Sequence, residues 1–96
     1  MLQYFLNAND GTDEGALDRR MAVRPFHLEY AKKLKEEGKL INGGAKLSAE
    51  GKMIGSAAIL QFENEEELNQ YIANEPYINN GVWVEYTITP FKLAVL

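Results

Sequence analysis

The hydrophobic period of this chain switches from that of a strand to that of a helix and back, twice over, and few folds accept that order. Residues 2 to 8, "LQYFLNA", are short, apolar and aromatic, and the "NDGTDEG" that follows is dense in turn formers, so a strand runs into a loop. From Ala16 to Glu37 the period becomes helical. At ~100° per residue, Phe26, Tyr30, Val23, Leu34, His27, Arg20 and Ala31 share one sector, predicted to face inward. Lys35, Lys32, Glu36, Glu29 and Lys33 fill the opposite one. Gly38 supplies the stop. Pro25 removes an amide inside this segment, so the helix is expected to kink there or to restart with Pro25 in its first turn.

"KLINGGA" and "KMIGSAAILQF" read as two strands joined through "LSAEG", where Gly51 is available for a positive φ. "NEEELNQYIAN" is a second helix, with Asn64 as cap, Glu67 at the capping-box position and Leu68, Tyr71 and Ile72 as the buried stripe. After "EPYINNG", the segment "VWVEYTITPF" closes the chain as a strand. The order β-α-β-β-α-β is the split βαβ layout, an α+β fold with an antiparallel sheet and both helices on one face. "AAILQF" is apolar at consecutive positions, and simple alternation puts Trp83 on the opposite face from Val82, Val84 and Tyr86. Both sheet faces therefore read as buried, the second against an identical subunit, in a homodimer or higher homo-oligomer.

The 96 residues form one domain, 1 to 96, and a domain of this size buries only somewhat over ~60% of its unfolded surface, so a partner subunit would help. A net charge of -4, with lysines interleaved among glutamates, does not make the coherent basic surface that nucleic acid requires. The start "MLQYFLNAND" lacks the pattern of a secretory signal, and no run approaches the ~20 apolar residues of a membrane span, so the expected location is cytoplasmic. Cysteine is absent, and with one histidine there is no zinc set; no glycine-rich phosphate loop is present either. No cofactor is called for.

Arg20, Arg24 and His27 follow one another at spacings of four and three, which stacks them along one side of a helix. Guanidiniums grip planar anions such as carboxylates and phenolates, and an imidazole beside them is a proton acceptor, a combination suited to a small anionic ring. The structural alternative is a boundary histidine with arginines paired to Asp18, Glu14 or Glu29. Glu75 precedes a proline, which pushes it out of helical geometry and aims its carboxylate from the end of the second helix. With the two helices side by side, that carboxylate could approach His27; a solvated turn residue is the alternative.

"RRMAVRPFHLEYAKKLKEEGKLINGG" resembles the diagnostic segment of the YciI-like (YCII-related) proteins, in which R-x-x-x-R-P-x-H-L precedes a helix ending in E-G-x-L and a glycine. The likeness continues through "GSAAILQFENEEELNQYIANEPY" and the late "TPFK", and so covers essentially the whole chain. The resemblance implies a ferredoxin-like fold that dimerises into an α+β barrel, with a site built around a histidine and an acid. By position these are His27 and Glu75, with Arg20 and Arg24 as the family's arginines, Ser56 on its G-S and Tyr4 on its first-strand aromatic. Glutamate stands at Glu75 where the family has aspartate, which moves the carboxylate one methylene outward.

The expected function is proton transfer on a small anionic ring or enol-type compound, by elimination (dehydrochlorination) or isomerisation. His27 and Glu75 would be catalytic, and Arg20, Arg24, Tyr4 and Ser56 would bind substrate. The resemblance supports the reaction class, since the family includes a dehydrochlorinase of chlorinated hydroxyquinol breakdown. The alternative is a non-catalytic module that binds a small anion. A third reading, taken from other dimeric α+β barrels, makes His27 the axial ligand of a haem.

Overall fold

A computed structural model describes residues 1–96. The elements run β1 (Leu2–Asp10), α1 (Ala16–Glu36), β2 (Leu40–Leu47), β3 (Met53–Phe62), α2 (Glu65–Asn74), a one-turn α3 (Pro76–Asn79) and β4 (Trp83–Phe91). The strands pair antiparallel in the order β2-β3-β1-β4, the ferredoxin-like arrangement that the split layout predicts. The sheet is open, however, and the expected α+β barrel is not formed: β2 and β4 stand at opposite edges without pairing. Four strands are too few to bring the edges round, because closure about a side-chain-filled interior takes about eight. No helix is long and apolar enough to cross a membrane.

Local signals place the helix ends. Gly38, at φ 74°, closes α1: its N–H donates to the Lys35 carbonyl at 3.1 Å, and that of Lys39 to the Leu34 carbonyl at 2.8 Å. This paired pattern satisfies carbonyls that the helix end would orphan. Asn64 Oδ1 accepts the Glu67 N–H at 3.0 Å, while Glu67 reaches back to the Glu63 N–H at 2.7 Å, one residue upstream of a regular capping box. α1 passes through Pro25 without restarting. Met21, whose carbonyl would have met the missing amide, is exposed, so water can serve it.

Two expectations about facing fail, each for a physical reason. Phe26 is 64% exposed; at ~100° per residue it lies ~110° from the centre of the sector that Arg20, His27, Ala31 and Leu34 turn inward. Trp83 and Tyr86 share the helix-side face, their rings 6.4 Å apart, instead of lying on opposite faces. The cause is a bulge: Asn9 pairs with Glu85 but Asp10 with Trp83, so Val84 is an extra residue and the alternation inverts across it. The second face of the sheet, which was expected to meet an identical subunit, is covered by no element of the chain itself, and Asn7, Glu85, Thr87 and Thr89 are exposed there.

The core lies between the sheet and the helices. Tyr4, Leu6, Leu60, Phe62, Tyr71 and Trp83 belong to it, and the partly buried Val23, Tyr30, Leu68 and Ile72 pack against it. On β1 the residues Tyr4, Leu6, Ala8 and Asp10 alternate inward, which carries an acid into the apolar layer at the strand's end.

Candidate active site

The site is organised by the junction of α2 and α3. Pro76 opens α3 and holds Glu75 in an extended conformation, φ -69° and ψ 116°. Glu75 thereby ends one helix and caps the next, its Oε1 accepting the Tyr77 N–H at 3.1 Å. The same oxygen lies 2.6 Å from His27 Nδ1. The Tyr77 ring stacks on the imidazole, centroids 3.9 Å and planes 8° apart, and Trp83 meets it edge-on at 6.0 Å. Position and plane of the histidine are both held from one short segment. Glu75 is 1% exposed, and a carboxylate so buried is tolerable only with such donors. With the Nδ1 proton directed at Glu75, the lone pair on Nε2 is the one offered to a ligand.

Arg20 and Arg24, expected to act alike, are divided. Arg20 is 3% exposed; its Nη1 donates to both Asp10 oxygens at 3.1 and 3.0 Å, and its Nη2 to Ser56 Oγ at 3.0 Å. The guanidinium also lies 4.8 Å above the Tyr77 ring, on which His27 stacks. Its charge is thus neutralised within the protein, where the sequence led us to expect a group that grips a ligand. Arg24 forms no ion pair and borders the cavity.

That cavity, of about 290 Å³, lies between α1 and the sheet, and His27, Glu75, Arg20, Arg24, Ser56 and Tyr77 all contribute to its lining. Small residues keep it open: a β-carbon at Gly43 would stand 3.0 Å from that of Ala58. The volume is at the lower end of the ~300–1,000 Å³ usual for small-molecule sites. Tyr4 is not part of it. It is a core residue packed on Phe62, and at ~3.3 Å per residue it lies ~20 Å along β1 from Asp10, the end at which Arg20 anchors.

Asp10, Tyr77 and Trp83 are site residues that sequence reasoning missed. For Asp10 a signal existed, an acid on the inward parity of β1. Tyr77 stood beside Glu75 without a role, and Trp83 was read on the wrong face because the bulge is silent in the sequence.

The phenols around Glu75 stay protonated. Burial raises Tyr71 well above its ordinary value, with the Glu75 charge adding to it, and pushes Tyr30 up to about 12 with Glu75 and Glu37 contributing. Tyr77 is also raised by burial, against the opposing pull of Arg20 and Arg24. None of the three is a base near neutrality.

An imidazole anchored by a buried carboxylate, facing a cavity of single-ring size on a ferredoxin-like sheet, defines an acid–base enzyme of small molecules. The chain belongs to the YCII-related family, whose domain model matches residues 3–92. A protein of Haemophilus influenzae is 34% identical over 97 residues, covering 95% of this chain and 97% of its own. Protein YciI of Escherichia coli is 30% identical over 95 residues, with 93% and 95% covered. Among solved structures, 5-chloro-2-hydroxyhydroquinone dehydrochlorinase of Burkholderia phenoliruptrix, in complex with 2,5-dihydroxybenzoquinone, superposes with a TM-score of 0.83 at 25% identity, over 96% of this chain and 95% of that one. A dimeric ferredoxin-like protein from Jannaschia shares the fold, with a TM-score of 0.62 at 16% identity over 97% and 100%.

Proposed function

We propose that this protein removes a proton from a small, oxygenated ring compound and so drives an elimination, with dehydrochlorination of a chlorinated hydroxyquinol as the first reaction to test. The observation that carries this is the 2.6 Å contact between Glu75 and the imidazole lining the cavity. His27 Nε2 takes the proton; the electron pair left behind moves through the ring, and the leaving group departs with its bonding pair as an anion, so that HX is lost in all. The imidazolium so formed is stabilised by the Glu75 carboxylate. Because Glu75 Oε1 is occupied by His27 Nδ1 and the Tyr77 amide, Glu75 orients the base and does not itself act as acid. Arg24, free of an internal partner, meets the negative charge of the ring. The likeness to the Burkholderia dehydrochlorinase supports the choice of substrate class.

The test is turnover of 5-chloro-2-hydroxyhydroquinone by wild type and by His27→Ala. Loss of turnover in a folded variant is expected; unchanged turnover overturns the assignment. A module that only binds the anion would instead show ligand-induced thermal stabilisation with no product. Haem does not fit, since about 290 Å³ holds a single ring and not a tetrapyrrole. Self-association belongs to the same reading: Phe5 and Phe91 pack together, ring centroids 5.9 Å apart, on the uncovered sheet face, and the Jannaschia protein of the same fold is dimeric. Sedimentation showing a monomer at micromolar concentration would rule it out.

A further inference from the structure

We infer that the hydroxyl of Ser56 is a one-way hydrogen-bond donor into the cavity, set to meet a ligand's oxyanion or conjugated carbonyl oxygen. Trp83 and Arg20, the latter held by Asp10, are the positioning residues that impose this direction. The inference rests on the reading of the cavity as a ligand site and names what that ligand must carry.

A hydroxyl oxygen has two lone pairs and one proton. Ser56 is 5% exposed, and its Oγ receives Arg20 Nη2–H at 3.0 Å and Trp83 Nε1–H at 3.2 Å. Neither a guanidinium nor an indole N–H can accept in return, so both lone pairs are occupied and the proton must go elsewhere. No protein acceptor receives it, and Ser56 lines the cavity. The arrangement cannot relax by rotating Arg20, because Nη1 of the same guanidinium is fixed on both oxygens of Asp10. Nor can Trp83 swing away readily: it is buried, with its ring edge against Tyr77 at 5.6 Å.

The cavity therefore presents two polar groups of opposite and fixed sense. His27 Nε2 accepts a proton, and Ser56 O–H gives a hydrogen bond. A ligand that satisfies both brings an acidic hydrogen to the imidazole and an electron-rich oxygen, conjugated with that position, to the serine. Hydroxyquinones and cyclic enols of 1,3-diketone type, which join an acidic O–H to a conjugated carbonyl oxygen, have this pattern on one flat ring, and their anions keep the electron-rich oxygen that the serine proton meets. When the proton moves to Nε2, the charge it leaves spreads to the conjugated oxygen, where the serine proton already points.

The experiment is calorimetric titration of two single-ring probes, 2,5-dihydroxybenzoquinone, which is ionised at neutral pH, and hydroquinone, which is neutral. Wild type should favour the anion. Ser56→Ala should weaken the anion on the order of ten- to a hundredfold, the scale of a hydrogen bond to charge, and hydroquinone by no more than roughly tenfold, so that the affinity ratio falls. Ser56→Thr, which keeps the hydroxyl, should stay within about threefold for both. Trp83→Phe removes the indole N–H, frees one lone pair and should also lower the ratio, a change that loss of packing alone would not produce. A folded Ser56→Ala with the wild-type ratio overturns the inference, and if that variant does not fold, an unchanged ratio in Trp83→Phe does so. Failure of wild type to bind either probe would sink the ligand-site reading itself, a result distinct from wild-type binding with an unchanged ratio.

Discussion

Shortening Glu75 by one methylene separates its two tasks. At present one oxygen both caps α3, at 3.1 Å from the Tyr77 nitrogen, and anchors the imidazole, at 2.6 Å from Nδ1. In Glu75→Asp the carboxylate withdraws by ~1.5 Å, one carbon–carbon bond. It can keep the nearby amide, since aspartate is a good N-cap, but the distance to the ring opens to about 4 Å, beyond hydrogen-bond range. A hydrogen bond to a charged group is worth about 1.5–3 kcal/mol, so turnover should fall by roughly 10- to 150-fold. The fold should survive. Glu75→Gln is the complement, keeping reach and cap while removing the charge that stabilises the imidazolium. Because His27 is the only histidine, ¹⁵N spectra report one imidazole without overlap. Wild type should show the proton on Nδ1, and Glu75→Asp a mixture of the two tautomers. Wild-type nitrogen shifts together with turnover within about twofold in Glu75→Asp would refute the anchoring argument.

Other perturbations read other parts of the site. Asp10→Asn strips a buried guanidinium of its counter-charge, which costs about 3–5 kcal/mol and should lower Tm by at least ~12 °C for a domain of this length; replacing the pair together, Asp10→Leu with Arg20→Met, should recover much of the loss. Thermal melts decide, and a drop under ~4 °C in Asp10→Asn contradicts the burial argument. Arg24→Met should raise KM for an anionic ring roughly tenfold with Tm nearly unchanged, because no internal ion pair is broken; steady-state kinetics and a melt together test this. In strong alkali the unfolded chain loses tyrosine protons near ~10, while the folded chain keeps those of Tyr71, Tyr77 and Tyr30, the last up to about 12. The unfolded state then binds fewer protons, so stability should fall as pH rises past ~10. Melting temperatures flat from pH 8 to 11 would contradict it.

Much of the fold was legible because its signals are local. The change of period, Gly38 after the helix, Asn64 before the next and Pro76 behind Glu75 act over a few residues, and each lies where its chemistry requires. The approach of His27 to Glu75 was legible too, since a split layout sets the two helices side by side and leaves the proline-fixed acid at their junction. The bulge was not. Val84 looks like any strand residue, and only pairing with β1 makes it the extra one that carries Trp83 to the helix side. Phe26 was misread because a ~100° rule ranks positions within a sector without saying where the neighbouring sheet cuts it.

The sequence by itself determined the order of elements, their caps and the family's histidine and acid, since these depend on residues a few positions apart. Tertiary structure alone decided which arginine is paired within the protein and which is not. Asp10 is near enough to claim Arg20 only after β1 and α1 have packed, and Ser56 and Trp83 join them from β3 and β4. The opposite fates of Arg20 and Arg24 rest on distances between strands and helix, which no spacing along the chain records.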